Sequence, residues 1–134
     1  MIVVDSNVVA YCWLNGPLTD VAQAVRVKDP DWHVPILWRS ELRSILTGYL
    51  RDGSLSRTQI GRVMESVEEA FLGKEHLVPS SEVFKVVEHS RLSAYDSEFV
   101  ALASALSAPL VTADKAVLKA FPEIAVTMNA FLGA

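Results

Sequence analysis

The chain opens MIVVDSN, four apolar residues (Met1 to Val4) followed by Asp5, Ser6 and Asn7. A short apolar run bounded by polar, turn-favouring residues predicts a buried strand. LVTAD (Leu110 to Asp114) repeats the pattern near the other end, and HVPIL (His33 to Leu37), HLVP (His76 to Pro79) and IAVT (Ile124 to Thr127) are further short strand candidates. Between them the period changes to helical. One helix is predicted from Asn7 to Leu14, stopped by Asn15-Gly16-Pro17, and another from Thr19 to Lys28, before Asp29-Pro30. Leu42, Ile45, Leu46, Tyr49 and Leu50 share a face, with Gly53 where a C-cap is expected. Ser56-Arg57-Thr58-Gln59 matches a capping box that opens the stripe Ile60, Val63, Met64, Val67 and Phe71, closed by Gly73. Val83, Val86 and Val87 mark a helix, as do Phe99, Leu102, Ala103 and Leu106 from Tyr95 onward, and Asp114 to Phe121 is helical. Strands alternating with helices predict an α/β domain whose parallel sheet is covered on both faces. The pattern does not specify the order of the strands.

Composition narrows the class. A length of 134 residues, with 51% hydrophobic and 21% charged, suits one packed domain spanning 1–134. The formal net charge of −4 supplies no global basic field to draw nucleic acid, so any such binding must use a local patch or bound cations. Cys12 is the single cysteine, which excludes an intrachain disulfide and a Cys-rich zinc site. The N-terminus lacks a signal-peptide pattern and no run is apolar enough to span a membrane, so a cytoplasmic protein without membrane partners is expected.

Four acids stand where solubility does not require them. Asp5 and Asp114 follow predicted strands, where an open parallel sheet binds ligands. Glu41 lies three residues after Trp38 and four before Ile45, on their apolar stripe, and Asp96 lies three before Phe99. Each has an ordinary explanation: Asp96 and Asp114 as helix caps, Asp5 closing an Asx-turn, Glu41 paired with Arg39 or Arg43. One convergent cluster accounts for all four together. Like charges at close range raise each other's pKa, and a hard divalent cation, Mg²⁺ or Mn²⁺, removes that conflict. Such a site supports hydrolysis of a phosphate ester or phosphodiester. His33, His76 and His89 are dispersed without metal-ligand spacing and read as surface or strand-end residues.

The segments VVDSNV (Val3 to Val8), LWRSELRSIL (Leu37 to Leu46), YDSEFVALA (Tyr95 to Ala103) and PLVTADKAVL (Pro109 to Leu118) together resemble a PIN domain, most closely the VapC-type toxins of toxin–antitoxin pairs. The resemblance implies a three-layer α/β/α sandwich with a central parallel sheet. It also implies an Mg²⁺- or Mn²⁺-dependent endoribonuclease, a homodimer and a cognate antitoxin. Asp5, Glu41, Asp96 and Asp114 fall on the family's acidic quartet as catalytic and metal-holding residues, with Thr112 as a supporting hydroxyl. Arg39, Arg43 and Lys115 flank these acids and are candidate RNA contacts. Trp13, Trp32 and Trp38 could stack on bases, but Trp38 reads more naturally as packing. Two other readings stand beside the nuclease. An aspartyl-phosphate phosphatase would need a second Asp two residues after Asp5, where Asn7 stands. A non-catalytic interaction module would use the acids for a structural cation or a basic partner.

Overall fold

The computed structural model describes residues 1–133 and contains β1 (Ile2–Val4), α1 (Ser6–Trp13), α2 (Thr19–Lys28), β2 (Trp32–Pro35), α3 (Trp38–Arg51) and α4 (Arg57–Ala70). β3 (Glu75–His76), α5 (Ser80–Glu88), α6 (Ala94–Leu106), β4 (Leu110–Val111), α7 (Lys115–Ala120), β5 (Ala125–Val126) and α8 (Met128–Leu132) complete it. The five strands form one parallel sheet in the order β3-β2-β1-β4-β5.

Alternation along these strands divides the core. Ile2, Val4, Trp32, Val34 and Val111 face α1 to α4 and α8, in a cluster that also buries Trp38, Leu42, Val67 and Phe71. Val3 and Leu110 face the other way, onto Val86, Phe99, Val100 and Val117 of α5, α6 and α7. A strand sends successive side chains to opposite faces, so runs apolar at every position require helices on both sides. The result is the α/β/α sandwich.

The predicted capping box at α4 is present: Ser56 Oγ accepts from the Gln59 amide at 3.1 Å and Gln59 Oε1 from the Ser56 amide at 2.8 Å. Ser56→Ala should therefore cost about 1 kcal/mol, measurable as a shift of the urea midpoint without a change in m. Gly53 and Gly73 take φ of +80° and +74°, the left-handed conformation expected of glycines that end helices. HVPIL and HLVP prove shorter as strands than their apolar character suggested. β2 stops at Pro35 and β3 at His76, and Ile36 and Leu77 lie exposed beyond them. Helix α8, capped by Thr127 Oγ1 on the Ala130 amide at 3.0 Å, is too short to leave a periodic signature in the sequence.

Candidate functional site

β1 and β4 are neighbours, yet the chain leaves β1 toward β2 and β3 before returning to β4 on the opposite side. This reversal is the topological switch point at which parallel α/β sheets open a crevice beyond their carboxyl ends. The register pairs Val4 with Val111, which places Asp5 and Thr112 at the same level. A cleft of about 480 Å³ opens there, and Asp5, Glu41, Asp96 and Asp114 all line it, with Ser6, Asn7 and Tyr95.

Each acid arrives at a helix start, where peptide dipoles favour negative charge. Asp5 caps α1, one oxygen accepting the Ser6 amide at 2.8 Å and the other the buried Thr112 hydroxyl at 2.7 Å. Thr112 Oγ1 also accepts the Asp114 amide at 3.0 Å, which ties the two strand ends together. Asp114 caps α7, taking the Ala116 and Val117 amides at 2.8 and 3.3 Å. Asp96 is not a cap. Ser93 caps α6 by accepting the Asp96 amide at 3.1 Å, which leaves the Asp96 carboxylate to the cleft. Glu41, in the first turn of α3, accepts the Ser6 hydroxyl at 2.8 Å.

Burial pushes the Asp5 carboxyl up from an ordinary 3.8 to about 6; the Thr112 and Ser6 hydrogen bonds oppose the rise, and the charges of Glu41 and Asp96 add to it. Glu41 is raised by burial and then by Asp96 and Glu98, and Asp96 by burial and then by Asp114. The acids therefore repel one another across the cleft. Thr112→Val removes the largest opposing contribution and should raise the Asp5 pKa further; carbon-detected NMR titration of the Asp5 carboxyl checks this.

Among the described residues, no group of three or more His, Cys, Asp or Glu is drawn in tightly enough to hold an ion. The donor chemistry nonetheless suits Mg²⁺ or Mn²⁺. The lining acids offer oxygen alone, and Asp5, Glu41 and Asp96, each raised by burial and by neighbouring carboxylates, carry charge that a hard cation would neutralise.

The basic candidates lie elsewhere. Arg39 donates to Glu75 through Nε at 2.7 Å and Nη2 at 2.8 Å, and Nη1 donates to Glu68. The same Glu75 accepts Trp38 Nε1 at 2.8 Å, so Arg39 clamps the start of α3 to β3 and α4 rather than facing the cleft. Arg43 is exposed beside Arg57 and Glu68 in a groove between α3 and α4, and Lys115 is exposed one residue beyond Asp114. Trp32 and Trp38 are buried, and Trp13 packs edge-on against Trp32 beneath the Arg26 guanidinium. His76 ends β3 and His89 is exposed, as expected of strand-end and surface residues, but His33 departs from that expectation. His33 is buried and its ring meets that of His76, because adjacent strands bring together residues far apart in the chain.

Sequence reasoning missed Ser6, which directs Glu41, and Asn7, whose Oδ1 accepts the Ala113 amide at 3.4 Å across the β1–β4 opening. It also missed Glu98. The available signal was their adjacency to Asp5 and Asp96.

Two of the solved structures that this chain resembles superimpose over nearly its whole length. One is FitAB bound to the IR36 DNA fragment, with a TM-score of 0.76 and 16% identity, covering 96% of this chain and 95% of that one. The other is FitAcB from Neisseria gonorrhoeae, with a TM-score of 0.73 and 19% identity, covering 95% of this chain and 96% of that one. At such identities the likeness concerns the fold. A comparison with curated proteins finds no match. The PIN domain family matches residues 2–124, a span that contains every lining acid of the cleft. The chain belongs to the PIN domain family.

Proposed function

We propose that this protein is an Mg²⁺- or Mn²⁺-dependent endoribonuclease that acts as the toxin of a toxin–antitoxin pair, works as a homodimer and is restrained by a cognate antitoxin. The observation that carries the catalytic part is the meeting of Asp5, Glu41, Asp96 and Asp114, from four separate helix starts, around one cleft at the sheet's switch point. Family membership supports it, and so do the VapC-like segments that run through the chain. The likeness to FitAB, solved on a DNA fragment, supports a protein that works in a larger assembly.

A divalent cation in the cleft would supply a Lewis acid that eases deprotonation of water and offsets charge developing at phosphorus. The four carboxylates would hold it. Thr112 and the Ser6 amide fix both oxygens of Asp5, and the Ser6 hydroxyl fixes one oxygen of Glu41, so these ligands are oriented before any substrate arrives. The second Glu41 oxygen and the Asp96 carboxylate remain free to face the cleft. No basic side chain is among the lining residues described, which leaves the cation to attract phosphate. Tyr95, exposed at the rim, offers a ring on which a base can stack.

Incubating total RNA with the protein and Mg²⁺ or Mn²⁺, then sequencing new 5′ ends, tests the reading. Cleavage at defined sites is expected, and it should disappear in Asp96→Asn and Glu41→Gln proteins that keep the wild-type circular dichroism. Undiminished cleavage in excess EDTA would overturn the cation's role. A wild-type protein that cuts nothing with any cation but captures its antitoxin would favour the interaction module instead.

A further inference from the structure

His33 on β2 and His76 on β3 face each other at the sheet edge, with Nδ1 of the first and Nε2 of the second 2.8 Å apart. The other nitrogen of His33, Nε2, lies 2.9 Å from Asp31 Oδ1. Asp31 is held ionised by its hydrogen bond from Lys74 and its contact with His33, so it only accepts. His33 Nε2 must therefore carry a hydrogen. At neutral pH its Nδ1 then accepts, and His76 Nε2 donates the hydrogen between the rings.

We propose that this pair admits one proton but not two, and that uptake of the second separates β3 from β2 and releases the first turn of α3. One added proton still leaves a single hydrogen between the rings. A second puts hydrogens on both facing nitrogens, and a 2.8 Å gap has no room for two. Two cations would also meet in a half-buried place.

The surroundings cannot relieve this. From the segment before β2 come Asp31 and, behind it, Asp29 and the N-terminal ammonium; that ammonium donates to Asp29 at 2.8 Å and lies 3.8 Å from Asp31. From the turn before β3 comes Lys74, already on Asp31. Glu75, next to His76, is turned to Arg39 and Trp38. From α6, which packs on β2, come Asp96 and Glu98, whose charges act on cleft acids. Burial and then His33 lower the His76 pKa, so His76 resists protons more in the folded chain than in the unfolded one. The sign follows. The fold is favoured above the ordinary histidine value of 6.5, and that advantage is lost as pH falls below it.

The consequence reaches the cleft through Glu75. β3 has only two residues, bound to the β2 segment by Val34 N to Lys74 O at 3.1 Å and Ile36 N to His76 O at 3.0 Å. Parting the rings unzips it and carries away Glu75, which clamps Trp38 and Arg39 three and two residues before Glu41. This device stands whether or not the cleft cuts RNA.

Amide hydrogen exchange from pH 7.5 to 4.5, read by NMR as protection factors at Val34 and Ile36, tests it, with the interior Val3 amide as control for global unfolding. Once opening is coupled to the second proton, protection at Val34 and Ile36 should fall about tenfold per pH unit relative to Val3. In His76→Gln, which keeps a donor at the same reach but cannot titrate there, it should stay flat. A flat ratio in the wild type, or an equal fall in the variant, would overturn the proposal. Should His76→Gln not fold, ring nitrogen shifts of the wild type decide, with exposed His89 as internal reference. Both rings doubly protonated while Val34 and Ile36 stay protected would overturn it, and loss of protection in step with the second protonation would support it.

Discussion

Asp5→Asn should abolish RNA cleavage, by on the order of 10²–10³-fold or more, and yet yield a protein that melts at a higher temperature than wild type in cation-free buffer at pH 7.5. The two effects share one cause. Asp5 is buried, and its carboxyl is pushed from 3.8 to about 6 by that burial and by Glu41 and Asp96. The rise corresponds to about 3 kcal/mol by which the ionised form weakens the cation-free fold. Asn has almost the same shape and caps helices as well as Asp. Its oxygen keeps the Ser6 amide, and its NH₂ can donate to the Thr112 oxygen. Part of the 3 kcal/mol should therefore appear as gained stability, about 1–3 kcal/mol, read by calorimetry without cation. A variant that lost both activity and stability would mean Asp5 is held for the fold, and the site reading would fall with it.

The second large effect concerns the cation and pH together. Asp5, Glu41 and Asp96 are all raised, so the folded chain holds protons that the unfolded chain has released. Stability from these groups is fully present below the ordinary carboxylate range and is lost as pH rises through about 6, the Asp5 value. Without cation, this contribution should fall from pH 5 to pH 7.5. Mg²⁺ or Mn²⁺ competes with those same protons. Its stabilisation should be small at pH 5 and reach about 2.7 kcal/mol at pH 7.5 when the ion is at 100 times its Kd. Thermal melts with cation and with EDTA at both pH values measure the difference, and Asp5→Asn should lose most of it. An equal increment at both pH values, or no increment, would show that the raised acids do not bind the ion.

Much of this architecture was legible in the chain. Apolar runs ending in turn residues marked β1 and β4, and the capping box at Ser56 placed the start of α4 to the residue, because caps are local chemistry. α2 matched its predicted bounds for the same reason, lying between Pro17 and Pro30. The short strands β2, β3 and β5 were blurred. Two to four residues pair only because a neighbour is present, and nothing local states where the pairing ends.

The same division runs through the candidate site. By itself the sequence determined which carboxylates sit at helix starts and on apolar stripes, because burial and helical spacing leave a periodic trace. It also determined that no cysteine site was possible, since Cys12 is alone. Only the tertiary structure decided that β4 returns beside β1, which lets Thr112 hydrogen-bond Asp5 across 107 positions of chain and opens the cleft between them. It alone decided that Arg39 turns away from the cleft to Glu68 and Glu75, and that His33 meets His76. Hydrogen bonds and ion pairs between strands depend on order and register, which are global properties of the sheet. A periodic pattern says which face a residue occupies, but not which distant residue stands opposite it.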